Sequence, residues 1–414
     1  MKNEFTTIAR ILIVTLMPVL FAAGCGFTGT APSQEVIQSA WDEPADRDVP
    51  VVRAEQVIGE KLAIEGVQEP IMQSNISPDN GTGGMPNREY WPTEGWREAL
   101  PEAQGMDPSI LYKVKEYIKE DETCLHSLLV VRNGYLVFEK YYNGYTKEKK
   151  NGMQSVTKSV VSALTGIAVE EGYLEGVDQK VADILPEYFK GDGNKSKEAI
   201  RIENLLTMSA GIQWQASGEI RSKWNRSMDR QKYYISLPME AEPGKVFNYS
   251  AGATHLLSAI LTKTTGMTAE KFAEKYLFNH LGIKEKRWNK DIQGHSLGNA
   301  GLYLTPRDMA KLGYLFLNNG VWNEKQILPA EWVAESSRKQ ISVGDGFDDY
   351  GYCWWIKTID DYECYYALGY GGQYIMIVPD LDMVIVMTSR WDEELYGRDY
   401  FIEIIDSYVI DAVI

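Results

Sequence analysis

A chain of 414 residues with 44% hydrophobic content can bury a large core, and its length exceeds what one compact domain ordinarily needs, so one large or two closely packed domains are expected. The formal net charge of -16 repels polyanions, and no run of Lys or Arg is long enough to follow a phosphate backbone. Both features argue against nucleic acid as a partner.

The N-terminus carries Lys2 and Arg10, an apolar run over 11–20, and then Phe21-Ala22-Ala23-Gly24-Cys25. A basic stretch, an apolar stretch and small residues in that order read as an export signal over 1–25. The run is too short and wrongly flanked for a stable membrane span, which takes about 20 apolar residues. Ala-Ala-Gly-Cys also resembles a bacterial lipoprotein box, although Ala22 stands where that pattern prefers Leu or Val. The resemblance implies a lipidated Cys25 and a protein anchored to the cell membrane or envelope, the alternative being a secreted or periplasmic one. Residues 26–90 are rich in Pro, Gly, Ser and acidic groups without sustained periodicity and read as a tether or extended arm, which leaves 91–414 as the globular domain.

Asp107-Pro108 opens a helix, an Asp N-cap followed by Pro, with Leu111, Val114, Tyr117 and Ile118 on one face as far as about residue 120. Two β-rich runs, 127–132 and 135–142, flank Asn133-Gly134, the strongest short hairpin signal. Over 155–171 the apolar residues Val156, Val160, Val161, Leu164, Ile167 and Ala168 recur at helical spacing and Gly172 supplies a stop, so a buried helix is expected. Residues 177–340 mix helical patterns, such as 253–265 and 306–317, with polar loops and predict a mostly helical subdomain. Strand-like runs follow at 352–357, 362–368, 374–378 and 383–388, with Pro379-Asp380 turning the last pair, and a helix near 400–413 closes the chain. Short local connections favour an antiparallel sheet flanked by the N- and C-terminal helices, with the helical segment inserted between two groups of strands: an α+β architecture. Cys353 and Cys364 flank a turn over 358–361, and in an exported protein they can either form a cross-strand disulfide or, with Cys124, remain buried thiols.

Ser155-Val156-Thr157-Lys158 places a hydroxyl and an amino group on one face at the start of the buried helix. A serine hydroxyl is a weak nucleophile that needs an adjacent base, and free N–H groups at a helix N-terminus can stabilise an oxyanion. The same spacing recurs in Ser336-Ser337-Arg338-Lys339, which sits in a polar stretch with no apolar face after it and reads as solvated surface. Gly294-His295-Ser296-Leu297-Gly298 matches the Gly-x-Ser-x-Gly elbow of another hydrolase class, but that class needs a histidine downstream of the serine. The four histidines are His126, His255, His280 and His295, so the segment reads better as a glycine-hinged loop. Their scatter offers no metal-ligand spacing, no dinucleotide loop is present, and hydrolysis needs no cofactor.

With Pro243-Gly244-Lys245-Val246-Phe247-Asn248-Tyr249-Ser250 downstream, the chain over 90–414 resembles the penicillin-recognising family of class C β-lactamases, related esterases and D-alanyl-D-alanine peptidases. The resemblance implies the β-lactamase/transpeptidase-like fold and a serine hydrolase in which Ser155 is acylated while Lys158 and Tyr249 manage its proton. Backbone N–H groups of Ser155 and Tyr370 would form the oxyanion hole, supported by Gly369, Gly371 and Gly372. The late strand motif departs from the family: Ala367-Leu368-Gly369 stands where Lys-Thr-Gly or His-Thr-Gly is usual, and Ala251 replaces an Asn. The first change removes groups that hold a substrate carboxylate and the second removes another polar substrate contact, and both point away from β-lactams and D-alanyl peptides. Trp91-Pro92-Thr93 to Trp96-Arg97 and Pro101-Glu102 to Gly105-Met106-Asp107 are similar to the aminohexanoate-dimer (nylon-oligomer) hydrolase and esterase branch. That implies small amide or ester substrates, with a β-lactamase, a D-alanyl-D-alanine carboxypeptidase or a non-turnover penicillin-binding receptor as alternatives. Oligomeric state is left open.

Overall fold

The computed structural model describes residues 88–119, 123–190, 194–344, 348–390 and 398–414. The expected signal over 1–25, with Cys25, and the arm as far as residue 87 lie outside the described residues. Arg88 and Tyr90 are already docked on the body: Arg88 pairs with Asp382 at 2.5 Å, and the Tyr90 hydroxyl donates to the Gly134 carbonyl at 2.6 Å.

Twelve strands are present among the described residues. They are β1 (Leu125–Arg132), β2 (Tyr135–Tyr141), β3 (Asn151–Gly152), β4 (Arg287–Trp288), β5 (Leu302–Leu304), β6 (Val321–Trp322) and β7 (Lys325–Gln326), then β8 (Asp349–Tyr350), β9 (Trp355–Ile359), β10 (Tyr362–Gly369), β11 (Gln373–Val378) and β12 (Met383–Ser389). Seven of them form one antiparallel sheet in the order β2-β1-β12-β11-β10-β9-β8. The β1–β2 connection is the expected hairpin, with Asn133 and Gly134 both at positive φ (51° and 84°) as a tight turn of matching twist requires.

Each face of this sheet is covered. On one side Leu129, Val131, Ala367, Ile375, Ile377, Val384 and Val386 pack against α1 (Val156–Glu170), α2 (Ala251–Thr265), α3 (Pro306–Leu317) and the rest of the helical subdomain. On the other, Leu128, Val130, Tyr366, Tyr374, Met376, Ile385 and Met387 pack against the N-terminal turns and the last helix, α4 (Arg398–Ile404) with its continuation Ile405–Ile410. Burial on both faces explains why the central strands read as continuous apolar runs.

The N-terminal helix expected from 107 onward is two short turns, Pro108–Leu111 and Val114–Tyr117, the first capped by Asp107, which accepts from the Ser109 N–H at 2.7 Å. A three-stranded sheet, β3-β5-β4, joins residues 151–152 to two strands of the 177–340 segment, and its strands of two or three residues leave no periodic trace in the sequence. Cys124, Cys353 and Cys364 are buried, and among the described residues none of them forms a disulfide. The β9–β10 register sets Cys364 opposite Lys357, while Cys353 precedes β9, so the two sulfurs are not cross-strand partners. Burial pushes both thiols up to about 12, which leaves them protonated at neutral pH. Among the described residues no helix is long and apolar enough to cross a membrane.

Candidate active site

Three segments converge on Ser155. The first is its own turn. The Met153 N–H donates to the Leu302 carbonyl of β5 at 2.8 Å, Gln154 takes a left-handed conformation (φ 50°), and Ser155 enters α1 with helical φ and ψ (-66°, -12°). A buried non-glycine residue at positive φ costs about 1–3 kcal/mol and persists only where its surroundings enforce it. Here the pairing of β3 with β5 does so, and the chain bends sharply enough to present the Ser155 hydroxyl at the helix end. Ser155 makes no side-chain capping bond.

Lys158, one turn further on, is 1% exposed. Its Nζ donates to Ser155 Oγ at 2.7 Å and to the Asn299 carbonyl at 3.0 Å, and lies 4.8 Å from the centre of the Tyr249 ring. A long side chain buried this completely is held by its bonds, because an unsatisfied buried amino group is costly.

Tyr249 arrives from the turn that starts α2. The Asn248 N–H donates to the Met208 carbonyl at 2.7 Å, and the Ser250 hydroxyl accepts from the Ala253 N–H at 3.2 Å as the helix N-cap, a contribution of about 1 kcal/mol. Trp355 stacks on Tyr249 (5.9 Å, 30°), and Phe247 and Tyr350 close the aromatic wall, with ring centres 6.5 Å and 6.4 Å from Tyr249.

The third segment is the end of β10. A Cβ on Gly369 would collide with the Met153 carbonyl oxygen and come within 3.0 Å of the Gln154 Cβ, so the strand end lies flush against the Ser155 turn. Tyr370 follows directly, in a turn closed by the Gly372 N–H donating to the Gly369 carbonyl at 3.2 Å, with Gly371 and Gly372 at φ 73° and 87°. Gly372 packs on Phe401 of α4 with no room for a side chain. Ala367 faces the α1 side and is buried, while the half-buried Leu368 lies on the opposite face of the sheet, paired with Tyr374. Neither supplies a cation or a hydroxyl. Replacing Gly369 by Ala must push β10 off the Ser155 turn; misplacing reacting groups by about 1 Å costs on the order of 10²-fold in rate. Ester turnover by Gly369→Ala is therefore expected to fall by roughly that factor, with the circular dichroism spectrum of the wild type; wild-type turnover would show that the close contact is dispensable.

The competing serines lie elsewhere. Ser296 is fully buried, its hydroxyl accepts from the Glu270 N–H at 3.1 Å, and it belongs to a loop that follows no buried strand. Ser336 is not on a solvated surface, as its charged neighbours suggest: it is buried near the C-terminal end of the helix Ala330–Ser337, where no free N–H groups point at it. Lys339 turns outward to Asp349 at 3.0 Å. Of the histidines, His126 stacks on Tyr145 (3.6 Å, 8°) beside Asn151, and burial lowers its imidazole to about 4. His255 is bonded to Asp291 at 3.0 Å. Three carboxylates, Asp360, Asp406 and Asp411, approach within 4.8 Å of one another at the β9–β10 turn and the C-terminal turn, an arrangement common without an ion.

A buried Lys bonded to a Ser one helical turn away, at the end of an antiparallel sheet, is the arrangement of a penicillin-recognising hydrolase, and the family model described as Beta-lactamase matches residues 124–404. The chain belongs to the β-lactamase family. It is a serine hydrolase of that family with the β-lactamase/transpeptidase-like fold. The 6-aminohexanoate-dimer hydrolase of Paenarthrobacter ureafaciens is 24% identical over 294 residues, 66% of this chain and 74% of that protein. A Bacillus anthracis structure provisionally assigned as a 6-aminohexanoate-dimer hydrolase superposes with a TM-score of 0.65 at 23% identity, covering 79% of this chain and 89% of that one. EstCE1, described as a hydrolase with promiscuous acyltransferase activity, superposes with a TM-score of 0.62 at 17% identity over 72% of this chain and 98% of its own.

Proposed function

We propose that this β-lactamase-family protein hydrolyses small amides or esters through an acyl-enzyme on Ser155. The observation that carries this reading is the 2.7 Å bond between Lys158 Nζ and Ser155 Oγ. In the acylation step Ser155 Oγ forms a bond to the substrate carbonyl carbon, its proton passes to the Lys158–Tyr249 pair, and the charge that develops on the carbonyl oxygen is met by the N–H groups of Ser155 and Tyr370. The bond to the leaving amine or alcohol then breaks and that group takes up the proton. Water attacks the acyl carbon, the same pair accepts its proton, and Ser155 is regenerated with release of the acid.

The substrate side follows from what surrounds the site. Ala367 and Leu368 offer no grip for a carboxylate, and the half-buried Phe247 and Trp355 beside Tyr249, backed by the buried Tyr350, suit an uncharged, apolar group. The name of the aminohexanoate-dimer hydrolase relative supports amide substrates over β-lactams. Hydrolysis of short-chain p-nitrophenyl esters is expected to exceed that of a chromogenic cephalosporin by about 10²-fold or more in kcat/KM, the effect of losing two polar substrate contacts. The reverse ranking would make the protein a β-lactamase or carboxypeptidase, and stable labelling by penicillin without turnover would make it a receptor. Export through residues 1–25 and lipidation of Cys25 complete the proposal, with the membrane met only through that anchor.

A further inference from the structure

The segment that looks like a hydrolase elbow, Gly294 to Gly298, leads into the carbonyl that holds Lys158. We infer that the buried pair His255–Asp291 is a positioning unit for Lys158, acting through this segment as a strap; the inference rests on the proposed role of Ser155 and Lys158. His255 lies on α2, two turns from Tyr249, and is 1% exposed. Its Nδ1 accepts from the Gly298 N–H at 3.2 Å, and its Nε2 is 3.0 Å from Asp291 Oδ2. An Nδ1 that accepts is unprotonated, so Nε2 carries the hydrogen and donates it to Asp291. Burial above all, with the nearby charges of Arg230 and His295, lowers the imidazole pKa against the opposing pull of Asp291, in keeping with the neutral ring this pattern requires.

Asp291 is fixed in turn. Its Oδ1 accepts from the Gln293 and His295 N–H groups, both at 2.9 Å, and although burial pushes the carboxyl up, the bonds from His255 and from the His295 N–H hold it at about 2. The strap is laid flat on α2: a Cβ on Gly298 would strike the Thr254 carbonyl oxygen, and the Ser258 hydroxyl donates to the Ser296 carbonyl at 2.6 Å. One residue beyond Gly298, the Asn299 carbonyl takes its bond from Lys158 Nζ at 3.0 Å. Beyond that, the Gly301 carbonyl accepts from the Asn289 N–H at 2.9 Å and the Leu302 N–H meets Thr157 Oγ1 at 3.4 Å. The carbonyl that orients Lys158 is thus suspended between two anchors, and His255 is the anchor on the α2 side. Tyr249 immediately precedes Ser250, the N-cap of α2, so one histidine ties the strap that holds Lys158 to the helix whose start places Tyr249.

Three substitutions in the full-length protein separate this role from simple packing. His255→Gln keeps a donor for Asp291 but leaves the Gly298 N–H without its acceptor. His255→Asn keeps an acceptor near the Nδ1 position and gives up Asp291. Asp291→Asn holds its amide oxygen on the two backbone N–H groups and so turns its NH₂ toward Nε2; the ring must then carry its hydrogen on Nδ1, facing the Gly298 N–H donor. With p-nitrophenyl butyrate as the probe, kcat is expected to drop about 10²-fold in His255→Gln and in Asp291→Asn, with KM within about threefold of the wild type. His255→Asn should stay within about tenfold of the wild-type kcat even where its melting temperature falls as far as that of His255→Gln. Equal losses in the two His255 variants, losses that track melting temperature, or a change confined to KM would overturn the inference. Should His255→Gln not fold, Asp291→Asn against His255→Asn makes the same comparison. A wild-type protein whose Ser155 is not labelled by a fluorophosphonate would instead sink the reading of the site itself.

Discussion

Ser155→Ala is expected to lower ester turnover by roughly 10⁴-fold or more while leaving the melting temperature within a few degrees of the wild type. Removing the nucleophile of an acyl-transfer enzyme takes away the covalent step and leaves only binding and oxyanion stabilisation. The fold does not rely on this side chain: it caps no helix, and its hydroxyl serves as acceptor for Lys158 Nζ. Ser296→Ala supplies the contrast. Its hydroxyl accepts from the Glu270 N–H, so its loss should cost about 1 kcal/mol of stability and lower turnover by orders of magnitude less than the loss of Ser155 does. Activity and unfolding measured side by side on the two variants check both statements.

Lys158→Met should separate activity from stability in the opposite direction. The substitution keeps an unbranched chain of similar volume, so no cavity opens, but it removes the group proposed to take the Ser155 proton. General base catalysis contributes about 10² to 10⁴-fold, and the loss in kcat is expected in that range. The amino group is buried, bonded to Ser155 Oγ and the Asn299 carbonyl, and sits against the Tyr249 ring. Putting an apolar thioether there removes a polar group from the interior, at the expense of one unbonded carbonyl. The melting temperature is therefore expected to hold or rise as activity falls, the signature of a site kept for chemistry at some cost in stability. A variant that loses activity only in proportion to its unfolding would show that Lys158 is a structural residue.

The parts of this fold that the sequence announces are those with long patterns. Helix α1 follows from apolar residues at helical spacing closed by Gly172, and β10, β11 and β12 begin and end within one residue of the expected runs because each is a continuous apolar stretch between turn residues. Tyr249 is legible from Pro243-Gly244 through Phe247 to Ser250. The small sheet is not: β3, β4 and β5 are too short to show a period, and tertiary pairing alone makes them strands. The Asn299 carbonyl is invisible for a different reason, since a backbone oxygen that holds a lysine leaves no residue type behind.

Local chemistry also misleads where burial decides. Ser337-Arg338-Lys339 gives Ser336 the look of surface, yet the helix Ala330–Ser337 turns that one residue inward. The turn between Cys353 and Cys364 suggests a bridge, but strand register, which sequence spacing does not set, pairs Cys364 with Lys357. The elbow-like Gly294-His295-Ser296-Leu297-Gly298 needs its glycines, though for another purpose: Gly298 must lie flat on the Thr254 carbonyl. His255 follows the Tyr249 motif without a role of its own in the sequence, and becomes readable only once Gly298 and Asp291 are seen on its two nitrogens.

Labelling the full-length protein with a fluorophosphonate and mapping the modified peptide tests whether Ser155 is the residue acylated in this β-lactamase-family protein. One adduct per chain is expected, on Ser155, and none in Ser155→Ala. An adduct on Ser296 or Ser336, or a wild-type protein that turns over esters with Ser155 unmodified, would contradict it.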